Sequence, residues 1–143
     1  MTREEIAGQL QRLIGESHSE YFCYRLVDSW VAAGIQPEEV IEPVLRFMEQ
    51  HTEIDFGLPG PFVHFMERSL KMDEMGNDLY ETSLIASLGR APVIYTVFMV
   101  RRILNAEGIE SSRRERLFVA LKRARQFAVD LLEDIDSALA LRA

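Results

Sequence analysis

Apolar residues recur at intervals of three and four through nearly every segment of this chain and nowhere alternate with polar ones between turn signals. That period gathers them on one side of an α-helix, whereas a half-buried strand would need a period of two. The fold is therefore expected to be all-α. Ile6, Leu10, Leu13 and Ile14 make the first stripe, over residues 3–15, and Gly15 ends it. Thr2 is placed to cap that helix, with Glu5 three residues on to complete a capping box. A second helix is expected over 19–33, where Tyr21, Phe22, Tyr24, Leu26, Val27, Trp30 and Val31 form a wide apolar face ahead of Gly34. Pro37 suits the first turn of a third helix carrying Val40, Ile41, Val44, Leu45 and Met48. Pro43 should kink that helix or delay its start, because it lacks an N–H and crowds the preceding turn.

A fourth helix is expected from Pro61, with Phe62, Phe65, Met66 and Leu70 on its apolar side. A polar loop over 73–77 leads to a fifth, carrying Leu79, Leu84, Ile85 and Leu88 and ended by Gly89. Residues 92–100, Pro-Val-Ile-Tyr-Thr-Val-Phe-Met-Val, are apolar on every side, which predicts a buried central helix with Phe98 in the core. The last segment is expected to run as one helix from Ser111 to about Ala140, its stripe formed by Leu117, Leu121, Ala124, Ala128, Leu131, Ile135 and Leu139. About seven helices in one domain over 1–143 result. Consecutive short pairs suit a small bundle or a HEAT-like stack, although no repeat of fixed period is present.

The composition, 48% hydrophobic and 27% charged, is that of a globular chain. A net charge of −7 argues against nucleic acid as the main ligand, since phosphate recognition needs clustered Lys and Arg. The basic residues of the last segment, Arg113, Arg114, Arg116, Lys122, Arg123 and Arg125, spread around the helix. They are expected to pair with acids of the N-terminal region. No window approaches the roughly 20 apolar residues of a membrane span, so no membrane partner is expected. The charged start, Met1-Thr2-Arg3-Glu4-Glu5, lacks a signal peptide's apolar stretch, and the chain is expected to be cytoplasmic. The single cysteine, Cys23, sits in an aromatic run and is expected to be a buried structural thiol.

Nothing in the sequence spells out catalysis. His18, His51 and His64 lie on separate segments without metal-ligand spacing, and no nucleophile elbow, phosphate loop or dinucleotide fingerprint is present. No enzyme activity, cofactor or metal is expected. Within residues 55–67, Asp-Phe-Gly-Leu-Pro-Gly-Pro-Phe-Val-His-Phe-Met-Glu, two glycines and two prolines fall within five positions. Pro59 and Pro61 restrict the entry angle, while Gly57 and Gly60 allow backbone shapes other residues resist. A stiff structural corner made of Asp55, Gly57, Pro59, Gly60, Pro61 and His64 is expected. His64 is assigned to fasten the loop by hydrogen bonding to a loop carbonyl or to Asp55, and the corner sets Phe62 and Phe65 into the core.

That stretch, followed by Pro92-x-x-x-Thr96-Val97-Phe98-Met99-Val100-Arg101-Arg102-Ile103-Leu104-Asn105, resembles a pair of motifs in small helical bacterial proteins. These are encoded beside polymorphic or contact-dependent toxins, as immunity proteins or their relatives. The resemblance spans residues 54–107 and implies a cytosolic protein that binds and blocks one cognate toxin. It transfers no functional residues. Independently, residues 1–72 carry 12 acids against 6 bases, while 73–143 carry 11 against 10. The acidic N-terminal half therefore suits a basic partner, with Glu38, Glu39, Glu42, Glu49 and Glu53 as the candidate contact residues. The alternative is a helical adaptor that binds an unrelated cellular partner. Oligomeric state is not legible.

Overall fold

A computed structural model describes residues 2–69, 78–106 and 108–141. It is all-helical, as expected. Among the described residues there are eight α-helices and one 3-10 turn. They are α1 (Arg3–Gln11), α2 (Ser19–Ala32), α3 (Pro37–Gln50), α4 (Gly60–Glu67), α5 (Leu79–Arg90), α6 (Ile94–Leu104), α7 (Ser111–Arg125) and α8 (Leu132–Leu139), with the 3-10 turn at Val129–Leu131 just before α8. The polar loop expected over 73–77 and the apolar position Leu70 lie outside the described residues. Packing gathers the chain into two compact units, Met1–Ser83 and Leu84–Ala143, the division falling within α5.

In the first unit α1 opens as anticipated. Thr2 Oγ1 accepts the Glu5 N–H at 3.2 Å and the Glu5 carboxylate accepts the Thr2 N–H at 3.0 Å. The helix ends at Gln11 rather than at Gly15, so Leu13 is buried from the following turn while Ile14 is left exposed. Three residues past the last helical turn is too far for one stripe to keep both. α3 starts at Pro37 and runs through Pro43 without delay. Its first turn is held by Glu39, whose carboxylate accepts the Gln36 N–H at 2.6 Å. α1 lies on α3, α2 on α4 and α3 on α4.

Trp30 is the centre of this unit. It is fully buried, stacks on Phe62 at 5.5 Å between ring centroids, and has Phe65 tilted against it at 5.9 Å. Its indole N–H is satisfied by the Gln9 side-chain oxygen at 2.7 Å, which ties α1 to α2. From Phe62 the aromatic chain continues through Phe56 to Phe47, each step 5.9 Å.

In the second unit α6, α7 and α8 pack on one another as a three-helix arrangement. The segment expected as one long helix is a helical hairpin. α7 stops at Arg125, and the chain turns through Gln126–Ala128 into the 3-10 turn and α8. Continuing straight would carry Leu131, Ile135 and Ala138 away from α6; folding back buries all three. Arg125 grips Asp136 across the hairpin through two bonds of 2.7 and 3.2 Å, and the Arg114 guanidinium donates to the Leu141 carbonyl at 3.1 Å. Arg125 thus finds its acid on its own hairpin. α6 is not buried on every side: Tyr95, Thr96, Val97, Met99, Val100 and Leu104 are buried, Ile94 is exposed, and Phe98 is only partly covered. Phe98 is therefore not the core anchor the apolar run suggested, because it shares the Ile94 side of the helix, four residues on.

Candidate functional site

The first unit holds both residue sets singled out from the sequence. The corner is a backbone device. Asp55 Oδ1 accepts the Gly57 N–H at 2.9 Å, and the Asp55 carbonyl accepts from the Ser19 hydroxyl at 2.9 Å, so α2 anchors the loop. Gly57 and Gly60 have φ of +82° and +78°, in the left-handed region. Gly57 also has no room: a Cβ there would lie 2.8 Å from Gly60 Cα and 2.9 Å from Glu20 Oε1. The Leu58–Pro59 peptide is cis, and Gly60 and Pro61 open α4. Phe62 and Phe65 are set into the core as expected.

His64 does not belong to this corner. Its ring is more than half exposed, with Nδ1 at 3.6 Å from Glu67 Oε1, one turn along α4. The three-residue spacing turns it away from the loop that precedes α4. The other histidines also serve locally. His51 leans on Phe47 with its Nδ1 at 3.3 Å from Glu53, and His18 precedes α2 without capping it through its side chain. Among the described residues no three His, Cys, Asp or Glu side chains converge on a point that could hold a metal ion, and no helix is long and apolar enough to cross a membrane. Cys23 is buried, and burial together with the nearby Glu20 and Asp55 carboxylates pushes its thiol up to about 12. A thiol so disfavoured as thiolate is a packing group.

The five candidate acids separate into roles. Glu38, Glu42 and Glu49, four and seven residues apart, share one exposed or half-covered side of α3. Glu42 is also bound to Arg3 at 3.0 Å. Glu39 is turned back to cap α3, and Glu53 lies past the helix end beside His51. The unit boundary sharpens the charge asymmetry read along the chain. Met1–Ser83 carries 16 acids against 6 bases, a net of −10, and Leu84–Ala143 carries 7 against 10, a net of +3.

A second feature escapes the sequence reading. α2 has two apolar stripes, not one wide face. Cys23, Val27 and Trp30 point into the core, while Tyr21, Tyr24 and Val31 point outward with Asp28 between them; Tyr21 is 59% and Tyr24 51% exposed. Eight apolar residues in the eleven positions 21–31 exceed the capacity of one helix face, and that excess is the available signal. Val31 and Glu38 line one shallow cleft with Gly34, Ile35 and Arg68. The outward stripe of α2 therefore meets the acidic side of α3 there. Compared with models of known families, with curated proteins and with solved structures, the chain shows no significant match to any of them.

Proposed function

We propose that the first unit is a docking module for a basic protein, and that the chain acts as an immunity protein, neutralising a cognate toxin by occupying it rather than by chemistry. The observation that carries this reading is the exposed stripe of Tyr21, Tyr24 and Val31 on α2, whose Val31 end shares a cleft with Glu38, the first of the acids Glu38, Glu42 and Glu49 along α3. Exposed tyrosines beside charge are the composition of a protein-binding hot spot. A unit of net −10 attracts a basic partner over distances beyond contact.

The test is binding to the protein encoded beside this one, measured together with rescue of cells expressing it. Tyr21→Ala with Tyr24→Ala should weaken the complex about tenfold or more, mostly through faster dissociation. Reversing Glu38, Glu42 and Glu49 to lysine should slow association, most at low salt, where screening is weakest. Unchanged protection and on-rate with an intact helical spectrum would place the interface elsewhere. No complex with the neighbouring gene product would end the immunity reading and leave a helical adaptor for another cellular partner.

A further inference from the structure

The second unit carries a groove of about 530 Å³ between α5 and α7. Its floor is Ile85 and Gly89 from α5 and Val119 and Ala120 from α7. Val119 is 40% exposed in it. The α7 residues along it, from Ser112 to Arg123, extend for about three turns, or roughly 16 Å at the rise of an α-helix. Gly89 keeps the α5 side open. It is the penultimate residue of α5, and neither a left-handed φ nor a close neighbour accounts for it, since a Cβ there would meet nothing within 4 Å.

The rim has a sign. Arg116 and Arg123 border the groove, with Glu115 as the one acid beside them. Along the rest of α7, Arg125 is already bound to Asp136 of α8, and the exposed Lys122 beside Arg123 adds to the positive edge. Self-pairing through α7 would set this positive charge against itself, so a second copy is a poor occupant. A groove three turns long with an apolar floor and a basic edge matches the apolar face of an acidic amphipathic helix, whose anchors fall at i, i+4 and i+7.

We infer that the α5–α7 groove is a docking site for an acidic amphipathic helix of a partner protein, distinct from the acidic surface of the first unit. The probe is a synthetic fluorescein-labelled peptide of about fifteen residues, with leucines at i, i+4, i+7 and i+11 and glutamate and alanine elsewhere, read by fluorescence anisotropy on the full chain. Saturable binding is expected. The same peptide with lysine in place of glutamate should bind about tenfold more weakly or worse, as should the glutamate peptide to Arg123→Glu. Gly89→Leu fills the groove from a position with free space and a better helix former, so it should stay folded by thermal melt while losing about tenfold or more in affinity. Absence of saturable binding at about 100 µM protein would overturn the proposal, because a three-anchor groove should exceed that affinity. Equal binding of the lysine peptide, or full binding by folded Gly89→Leu, would overturn it too. Binding of phosphatidylglycerol vesicles without binding of the peptide would overturn it in favour of a lipid surface.

Discussion

The chain reverses direction at residues 54–60 and again at 126–131, by opposite means. The first reversal is coded in the backbone: two left-handed glycines, an aspartate accepting the N–H two residues on, and prolines that restrict the backbone around them. The second contains neither glycine nor proline, and nothing in Gln126, Phe127 and Ala128 would stop a helix by propensity. It exists because α8 gains cover against α6 and α7 by folding back. A turn written in backbone chemistry carries local bonds of its own besides its one tie to α2. One written in packing lasts only as long as the packing does.

The largest expected effects test that division. Phe56→Ala removes a fully buried ring of the aromatic chain and should cost about 3–5 kcal/mol, while Ile135→Ala on α8 should cost about 2–5 kcal/mol. The two should differ in how they fail. Hydrogen exchange in Ile135→Ala should accelerate first across residues 126–139, because losing the packing releases the reversal; in Phe56→Ala the corner amides, Gly57 above all, should stay comparatively protected. Early loss of Gly57 protection in Phe56→Ala would show that the corner also depends on packing.

Next come the glycines. Gly60→Ala forces only a left-handed backbone on a side chain, about 1–3 kcal/mol, since a Cβ there meets nothing within 4 Å. Gly57→Ala adds a clash against Gly60 Cα, which cannot move cheaply, for a further 1–3 kcal/mol or so. Denaturant melts giving the two variants the same midpoint would remove close approach as the reason for Gly57.

The smallest effect belongs to Arg125 and Asp136, whose side chains are each about half exposed. The bond to Arg125 holds the Asp136 carboxyl below its ordinary value of 3.8, so the folded state takes up this proton less readily than the unfolded chain. The pair's contribution is fully present above that pH and is lost as pH falls through the lowered value. A double-mutant cycle should give a small coupling at neutral pH that shrinks with added salt and in acid. A coupling indifferent to both would mean that the hairpin is clasped by something other than charge.

Legibility in advance divides along the same line. The all-α class follows from periodicity, and the corner from four glycines and prolines set together, because both signals are local. His64 is misplaced by sequence alone because composition says which residues are near a turn, not which way a helix then points them; a few positions into α4, its ring faces solvent. Phe98 is misplaced for a related reason: a run apolar on all sides does not tell which side stays uncovered. The acids of α3 are legible as a set, but only the fold separates Glu39, spent on a cap, from Glu38, Glu42 and Glu49.

The helical class, the capping box at Thr2 and Glu5, the shape of the corner and the burial of Cys23 are all written in the amino-acid order, set by interactions within a few residues or by bulk hydrophobicity. The hairpin of the last segment, the outward turn of Tyr21 and Tyr24, and the groove shared by Gly89 and Val119 come instead from the packed fold. Each of those depends on which helix lies across from which. That choice is made by burying area between segments far apart in the chain, and no local propensity records it.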